Sequence, residues 1–150
     1  MLQKLTTEYF NQVHDLIKHY SDKQLMLPIS LDELYHRAQA YRLVVQDEQV
    51  LACAHLDIFT PELAEIKSLA VSELEQGSGY GRQLVEDCER QARELGIKKL
   101  FVLTFQQGFF EKLGYQVVDR DTLPEKVYKE CVKCSFYEDC QEIAMVKNIA

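Results

Sequence analysis

The chain has 150 residues, 47% hydrophobic and 27% charged, a composition typical of a soluble globular protein with one core. Its net charge of -7 argues against general nucleic-acid binding, and no apolar run approaches the roughly 20 residues that span a bilayer. Met1–Lys4 opens no secretory signal. We therefore expect a cytoplasmic protein whose five cysteines are thiols or metal ligands rather than disulfides.

The first half of the sequence predicts two helices and then three strands. Apolar residues at helical spacing indicate a helix within residues 7–19, and Ser30-Leu31-Asp32-Glu33 is a potential capping box that starts a second helix. The strand-like runs Arg42–Val45 and Val50–Ile58, split by a polar turn, predict an antiparallel hairpin. A third strand is predicted at Ala64–Val71, directly before a glycine-rich segment.

The second half predicts a parallel strand pair. A helix at Arg82–Leu95, ended by Gly96, is followed by a buried strand at Lys99–Thr104. Strand, loop, helix and strand form a βαβ unit, so Ala64–Val71 and Lys99–Thr104 should run parallel. Further predicted elements are a helix at Phe109–Leu113, strands at Tyr115–Val118 and Glu142–Lys147, and a helix from Pro124 to about Cys131. We predict one α/β domain over residues 1–150, with a mixed, mostly antiparallel sheet and helices on both faces.

The segment Gln76-Gly77-Ser78-Gly79-Tyr80-Gly81 is the most informative motif of the chain. Glycine permits positive φ and lets backbone N–H groups approach an anion, and the following helix adds its positive end. The glycine spacing fits neither the dinucleotide fingerprint nor the P-loop. The remaining interpretations are a phosphate-binding loop of the form Gln/Arg-x-x-Gly-x-Gly/Ala and a turn that uses glycine for geometry alone.

Two segments resemble the signatures of a known family. Leu69-Ala70-Val71 with Gln76–Arg82 resembles the coenzyme-A motif of the GNAT superfamily of acyl-coenzyme-A-dependent N-acetyltransferases, and Phe109–Tyr115 resembles its second signature, Phe-Tyr-Glu-Lys-Leu-Gly-Phe. More narrowly, Ala64–Val71 and Leu123–Val127 resemble the short, kinase-free N-acetylglutamate synthase type, the first enzyme of arginine biosynthesis.

The resemblance implies transfer of acetyl from acetyl-coenzyme A to the amino group of a small amino acid, with L-glutamate as the first candidate. Alternatives are another amino acid, a polyamine or a small amine as acceptor. An alternative of another class is a catalytically silent module that binds acyl-coenzyme A. Relatives of this type often dimerise, so a homodimer is also possible.

The resemblance also implies how the coenzyme binds. The strand that ends at Val71 and the strand that starts near Lys99 would splay apart, and the pantetheine arm would pair with their backbone. The backbone of Leu69, Ala70 and Val71 would hold the arm and polarise the thioester carbonyl. The N–H groups of Gly77, Gly79, Gly81 and Arg82 would bind the pyrophosphate. The predicted cofactor-binding residues of this segment are Gln76, Gly77, Ser78, Gly79, Tyr80, Gly81 and Arg82. Gln76 stands where the superfamily often has Arg, which should weaken phosphate attraction.

Two polar residues of the third strand are candidates for the acceptor side. We predict Glu65 as the general base, acting through a water chain; the alternative is a carboxylate that pairs with Lys67 or faces solvent. Lys67 could bind a substrate carboxylate or form a structural ion pair. Ile29 departs from the related segment, which normally reads Leu-Pro-Arg-Ser, and this departure could change the acceptor.

Three further residues have both a functional and a structural interpretation. Phe110 and Phe109 could wall the acetyl pocket or pack in the core. Phe110 lacks the hydroxyl with which many superfamily members protonate the departing thiolate. His55 could act as a base, but a hydrogen-bonded structural histidine is favoured.

The cysteines fall into two groups. Cys131, Cys134 and Cys140 could bind zinc with a fourth ligand from elsewhere, remain free thiols in a packed loop, or form a redox disulfide. Cys88 lies on the apolar stripe of its helix, and Cys53 lies in an apolar strand without a neighbouring positive charge. Both are predicted to be buried core residues rather than nucleophiles.

Overall fold

The computed structural model describes residues 2–124 and 142–150. In this part of the chain the strands are β1 (Leu2–Lys4), β2 (Tyr41–Gln46), β3 (Gln49–Thr60), β4 (Leu63–Val71), β5 (Lys99–Thr104), β6 (Gln116–Val118) and β7 (Ile143–Asn148). The α-helices are α1 (Phe10–Ser21), α2 (Leu31–Arg37), α3 (Tyr80–Glu94) and α4 (Gln107–Lys112). The strands are ordered β1-β2-β3-β4-β5-β7-β6.

The sheet is mixed. The pairs β1–β2, β2–β3, β5–β7 and β6–β7 are antiparallel, whereas β4 and β5 run parallel, with Leu63–Glu65 opposite Lys99–Phe101. This arrangement confirms the predicted α/β class, the mostly antiparallel sheet and the βαβ unit. Strand β1 was not predicted, because three residues carry too little of an alternating pattern to be recognised.

Residue contacts group the chain into two compact units. The first comprises Met1–Asp57 with Ile66–Gln91, and the second comprises Ile58–Glu65 with Ala92–Ala150.

In the first unit, helices cover both faces of the sheet. Val13 and Ile17 of α1 and Leu34 of α2 pack in one buried cluster with residues of β2, β3 and β4, among them Tyr41 and Leu43. Arg42 alternates with these two residues and therefore lies on the opposite face. Its side chain pairs there with Asp87 of α3, Nε to Oδ2 at 3.8 Å. The predicted coverage of both faces is confirmed for this unit.

Local signals in the sequence produce the expected turns and caps. Ser30 caps α2, since its Oγ accepts a hydrogen bond from the Glu33 N–H at 3.1 Å. Asp47 and Glu48 form the two-residue turn between β2 and β3 with φ of 52° and 61°. Positive φ at both positions is the signature of a type I′ turn, which suits the twist of a hairpin.

The second unit has its own apolar cluster. Leu63, Phe101, Leu123 and Ala144 form its buried core. None of the described helices combines the length and apolarity needed to cross a membrane. The predicted cysteine loop, with Cys131, Cys134 and Cys140, lies outside the described residues, as does nearly all of the helix predicted from Pro124.

Candidate functional site

Strand β4 contains a residue in the left-handed region. Ser68 has φ of 56°, which departs from extended geometry inside the strand. Two side chains contact Ser68: the hydroxyl of Tyr41 on β2 donates to its Oγ at 3.3 Å, and the thiol of Cys53 on β3 donates to its carbonyl at 3.4 Å. The break falls directly before Leu69, Ala70 and Val71. Pairing of β4 with β5 is described at residues 63–65, and the predicted splaying further along stays a prediction.

The glycine loop adopts the conformation that its composition predicts. Gly77 and Gly79 have φ of 85° and 88°, and a Cβ at either position would meet no atom within 4 Å. Glycine is therefore required there by backbone conformation rather than by lack of space. Helix α3 follows directly, and the Gln83 N–H donates to the Gly79 carbonyl at 3.1 Å. The N–H groups of residues 80–82 precede this bond and, with the positive end of the helix, form an arrangement suited to an anion.

The side chain of Gln76 is engaged with the end of β4. Its Nε2 donates to the Val71 carbonyl at 3.0 Å and to the Tyr20 hydroxyl at 3.2 Å. The Tyr20 hydroxyl in turn donates to the same Val71 carbonyl. The predicted phosphate contact of Gln76 would thus require its side chain to turn away from Val71. Tyr20, on α1, was not among the predicted site residues.

A second contact joins α1 to the loop. Glu73, in the short 3-10 turn after β4, accepts from Lys23 Nζ at 2.6 Å and lies 2.9 Å from His19 Nε2. These hydrogen bonds, that of Lys23 first, lower the pKa of Glu73 to about 2. The carboxylate therefore remains ionised at neutral pH. Hydrogen bonds thus join the C-terminal end of α1 to Val71 at the end of β4 and to Glu73 in the turn that follows.

The structure gives Lys67 a partner that the sequence did not suggest. Lys67 Nζ lies 3.5 Å from Asp57 Oδ2, and Arg37 Nη1 lies 3.2 Å from Asp57 Oδ1. The side chains of Lys67 and Asp57 are only 15% and 18% exposed. The sequence did contain a signal for this pair, the tight turn at Pro61-Glu62. Asp57 and Lys67 are nearly equidistant from this turn, and such residues of a hairpin face one another.

Glu65 is buried at 6% exposure. This burial excludes the alternative in which the carboxylate simply faces solvent. Its role as a general base stays a prediction.

His55 differs from the expected structural histidine. It is 3% exposed, and neither ring nitrogen has a hydrogen-bond partner in the described part of the chain. Its ring packs against that of Tyr41, with centroids 4.4 Å apart. Burial above all, together with the positive charges of Lys67 and Arg37, lowers the pKa of His55 to about 3. The predicted burial is confirmed, and the predicted hydrogen bonding is wrong.

The aromatic and sulfur residues lie in the interior. Phe110 is 3% exposed and makes edge contacts with Phe109 and Tyr115, and its predicted place in an acetyl pocket is untested. Cys53 and Cys88 are buried, and burial raises the pKa of both thiols to about 12. They are core residues, as predicted. The described residues contain no cluster of three or more potential metal ligands.

Comparisons with known proteins identify the family. The model of the acetyltransferase (GNAT) family matches residues 2–115. An uncharacterized N-acetyltransferase from Chlorobaculum tepidum is 35% identical over 130 residues, covering 87% of this chain and 84% of the relative. An amino-acid acetyltransferase from Mycobacterium tuberculosis is 26% identical over 141 residues, covering 92% of this chain and 79% of that protein.

A solved structure has the same fold. N-acetylglutamate synthase from Neisseria gonorrhoeae, complexed with coenzyme A and N-acetyl-glutamate, superposes with a TM-score of 0.91 and 24% identity. The match covers all of this chain and 35% of the synthase, and several other amino-acid acetyltransferases are matched over only 26–29% of their length. The chain belongs to the GNAT family of acetyltransferases, and the predicted N-acetyltransferase class is confirmed.

The state of His55 predicts a measurable acid destabilisation. The unfolded His55 takes up a proton near pH 6.5, whereas the folded side chain does so only near pH 3. Stability from the neutral ring is thus complete above pH 6.5 and is lost as the pH falls toward 3. Between pH 7.5 and 5, this loss should reduce the free energy of unfolding by about 2 kcal/mol.

Urea titrations at both pH values of the wild type and of His55→Leu test this expectation. The leucine variant should lack this part of the pH dependence, whereas His36→Ala, a change at an exposed histidine, should retain it. Equal pH dependence in the wild type and His55→Leu would show that His55 is not held neutral.

Proposed function

We propose that this protein transfers acetyl from acetyl-coenzyme A to the amino group of an amino acid, with L-glutamate as the first candidate. The observation that carries the proposal is the organisation of β4, which bears Glu65 and Lys67 and leads through positive-φ glycines to the N-terminus of α3. The names of the similar bacterial amino-acid acetyltransferases and the ligands of the N-acetylglutamate synthase structure support the same assignment.

The coenzyme side of the site uses backbone donors. Acetyl-coenzyme A would supply the acetyl group as a thioester. The N–H groups of Gly77, Gly79 and residues 80–82 would bind the pyrophosphate, and the backbone of residues 69–71 would bind the pantetheine arm. A carbonyl oxygen accepts two hydrogen bonds, and Val71 already accepts two in this structure. A pantetheine amide at this oxygen would therefore have to displace the side chain of Gln76 or that of Tyr20.

The chemistry needs a neutral amine and a route for its proton. Glu65 takes the amine proton through water as the nitrogen forms a bond to the acetyl carbon, and the C–S bond breaks with its electron pair leaving on sulfur. Phe110 has no proton to give, so the coenzyme A thiolate leaves without help from this side chain. Such a thiolate is a competent leaving group.

The acceptor side requires a cation for a carboxylate. Lys67 lies on β4 two residues from Glu65, and its Nζ already contacts a carboxylate of this chain, Asp57. An amino-acid carboxylate would make the same kind of charge-assisted hydrogen bond.

The direct test is turnover with a panel of acceptors. The purified chain is incubated with acetyl-coenzyme A and L-glutamate, L-glutamine, L-aspartate, spermidine or no acceptor, and acetylated products are quantified by mass spectrometry. Product detection avoids thiol reagents, which would also react with the chain's cysteines. N-acetylglutamate should form fastest. Faster acetylation of spermidine would show that the acceptor is a polyamine rather than an amino acid. Absence of product with every acceptor would contradict the proposed activity.

The glycine loop provides a prediction for the coenzyme. Gly79→Val places a β-branched residue at φ of 88° and should abolish coenzyme A binding in calorimetry, because the loop can no longer present its N–H groups. Gly96→Val is the matched control, since Gly96 also has positive φ, 83°, but lies beyond the opposite end of α3. It should cost similar stability and retain binding. Undiminished affinity in a folded Gly79→Val protein would contradict the phosphate assignment.

Lys67 provides a prediction for the acceptor. Lys67→Ala should raise the KM for glutamate by roughly 10- to 100-fold, the value of a charge-assisted hydrogen bond, with the KM for acetyl-coenzyme A unchanged. Lys18→Ala, which removes an exposed helical ion pair with Asp22, should change neither constant. An unaltered glutamate KM in Lys67→Ala would remove this residue from the acceptor site.

A further inference from the structure

Two cations of the first unit converge on one carboxylate. Arg37 at the end of α2 faces one oxygen of Asp57 on β3, and Lys67 on β4 faces the other, at 3.2 and 3.5 Å. The side chains are 39%, 18% and 15% exposed for Arg37, Asp57 and Lys67. We refer to these three residues as the Arg37–Asp57–Lys67 triad. It is open enough at Arg37 to be reached from solvent.

Stability alone gives little reason for this arrangement. Partly exposed ion pairs contribute little to folding because solvent screens them and two long side chains lose rotamer freedom. Lys67 and Asp57, which are mostly shielded from water, also lose hydration free energy, and the attraction between such charges often offsets this loss only in part. The triad therefore resembles a site built to hold negative charge more than a device for folding.

The two cations of the triad also affect the neighbouring His55. Lys67 and Arg37 both lower the pKa of the His55 ring, after the larger effect of burial. Tyr41, which stacks on this ring, carries a hydroxyl whose pKa is raised by burial above all, so it too is neutral. Both of these neighbouring side chains, His55 and Tyr41, are therefore uncharged at neutral pH.

The sequence lacks a cation at a position where the related segment carries one. Ile29 occupies the position at which the related segment carries Arg, and here its side chain packs against the apolar core of the first unit. An apolar side chain cannot bind an anion. Arg37 lies at the end of the helix that begins two residues after Ile29, and its guanidinium is directed at Asp57 next to Lys67.

We propose that Arg37 and Lys67 together bind a carboxylate of the acceptor, and that Asp57 is the counter-ion that this carboxylate competes with. This inference rests on the proposed amino-acid acetyltransferase activity and names a specificity-determining residue for it. Arg37 supplies planar, two-pronged donors that suit a carboxylate, and Lys67 supplies a compact charge. Asp57 keeps both cations in position before the acceptor arrives.

The test compares three acceptors in the wild type and in Arg37→Gln. L-glutamate carries both carboxylates, L-glutamine lacks the side-chain carboxylate, and L-glutamic acid α-amide lacks the other. Arg37→Gln should raise the KM for glutamate by roughly tenfold or more, with kcat within about twofold. The KM should also rise for one of the two amides, and it should stay unchanged for the amide that lacks the bound carboxylate.

Asp57→Asn is a nearly isosteric second variant. Removal of the competing charge should lower the KM for glutamate. An unchanged or raised KM would show that Asp57 does not compete with the acceptor and would overturn that part of the proposal.

Arg42→Gln is the matched control. Arg42 also pairs with an aspartate, Asp87, but on the opposite face of the sheet, so its replacement should leave all three KM values unchanged. Arg37→Lys, which keeps the charge but loses the planar fork, should restore part of the affinity.

The outcomes separate this inference from the proposed function. If the wild type acetylates only amines without a carboxylate, or none, both proposals fail. If the wild type acetylates glutamate and Arg37→Gln changes no KM, or changes all three equally, the Arg37 inference alone is overturned.

Discussion

The backbone carbonyl of Val71 joins three parts of the first unit. The Tyr20 hydroxyl brings helix α1 to it, and Gln76 brings the glycine loop to it. The Glu73 carboxylate, ionised because Lys23 and His19 donate to it, adds a second tie between the same helix and the same loop. These contacts hold the loop in place before α3 begins. An anion that binds at the helix N-terminus would therefore lose less free energy to ordering of the loop.

The interior of the same unit contains local arrangements that do not favour stability. His55 is buried, and neither ring nitrogen has a hydrogen-bond partner among the described residues, an arrangement that costs free energy. Burial above all, with the positive charges of Lys67 and Arg37, keeps the ring neutral. Left-handed backbone at Ser68 is a further departure from the most stable local geometry. Such departures are usual where a surface serves binding rather than stability. Here they surround β4, the strand that bears the candidate acceptor residues.

Much of the fold could be predicted from the sequence because its elements carry strong local signals. The hairpin turn, the Ser30 cap, the amphipathic α3 and the glycine stops each depend on a few neighbouring residues. What could not be predicted depends on long-range register. Strand β1 forms because Leu2–Lys4 pair with β2. Lys67 contacts Asp57 because β3 and β4 are aligned across a turn. The side-chain direction of Gln76 depends on a tyrosine 56 positions earlier in the chain.

An acidic chain that binds anionic ligands must create local positive potential against its net charge of -7. Backbone N–H groups at the start of α3 provide such potential without a basic side chain, so the proposed phosphate site does not depend on an arginine at the position of Gln76. On the proposed acceptor side, the side chains of Lys67 and Arg37 supply the positive charge. Asp57 lies within 3.5 Å of both cations and offsets part of their mutual repulsion. Under the proposed mode of acceptor binding, the same carboxylate would compete with the acceptor and would therefore limit its affinity.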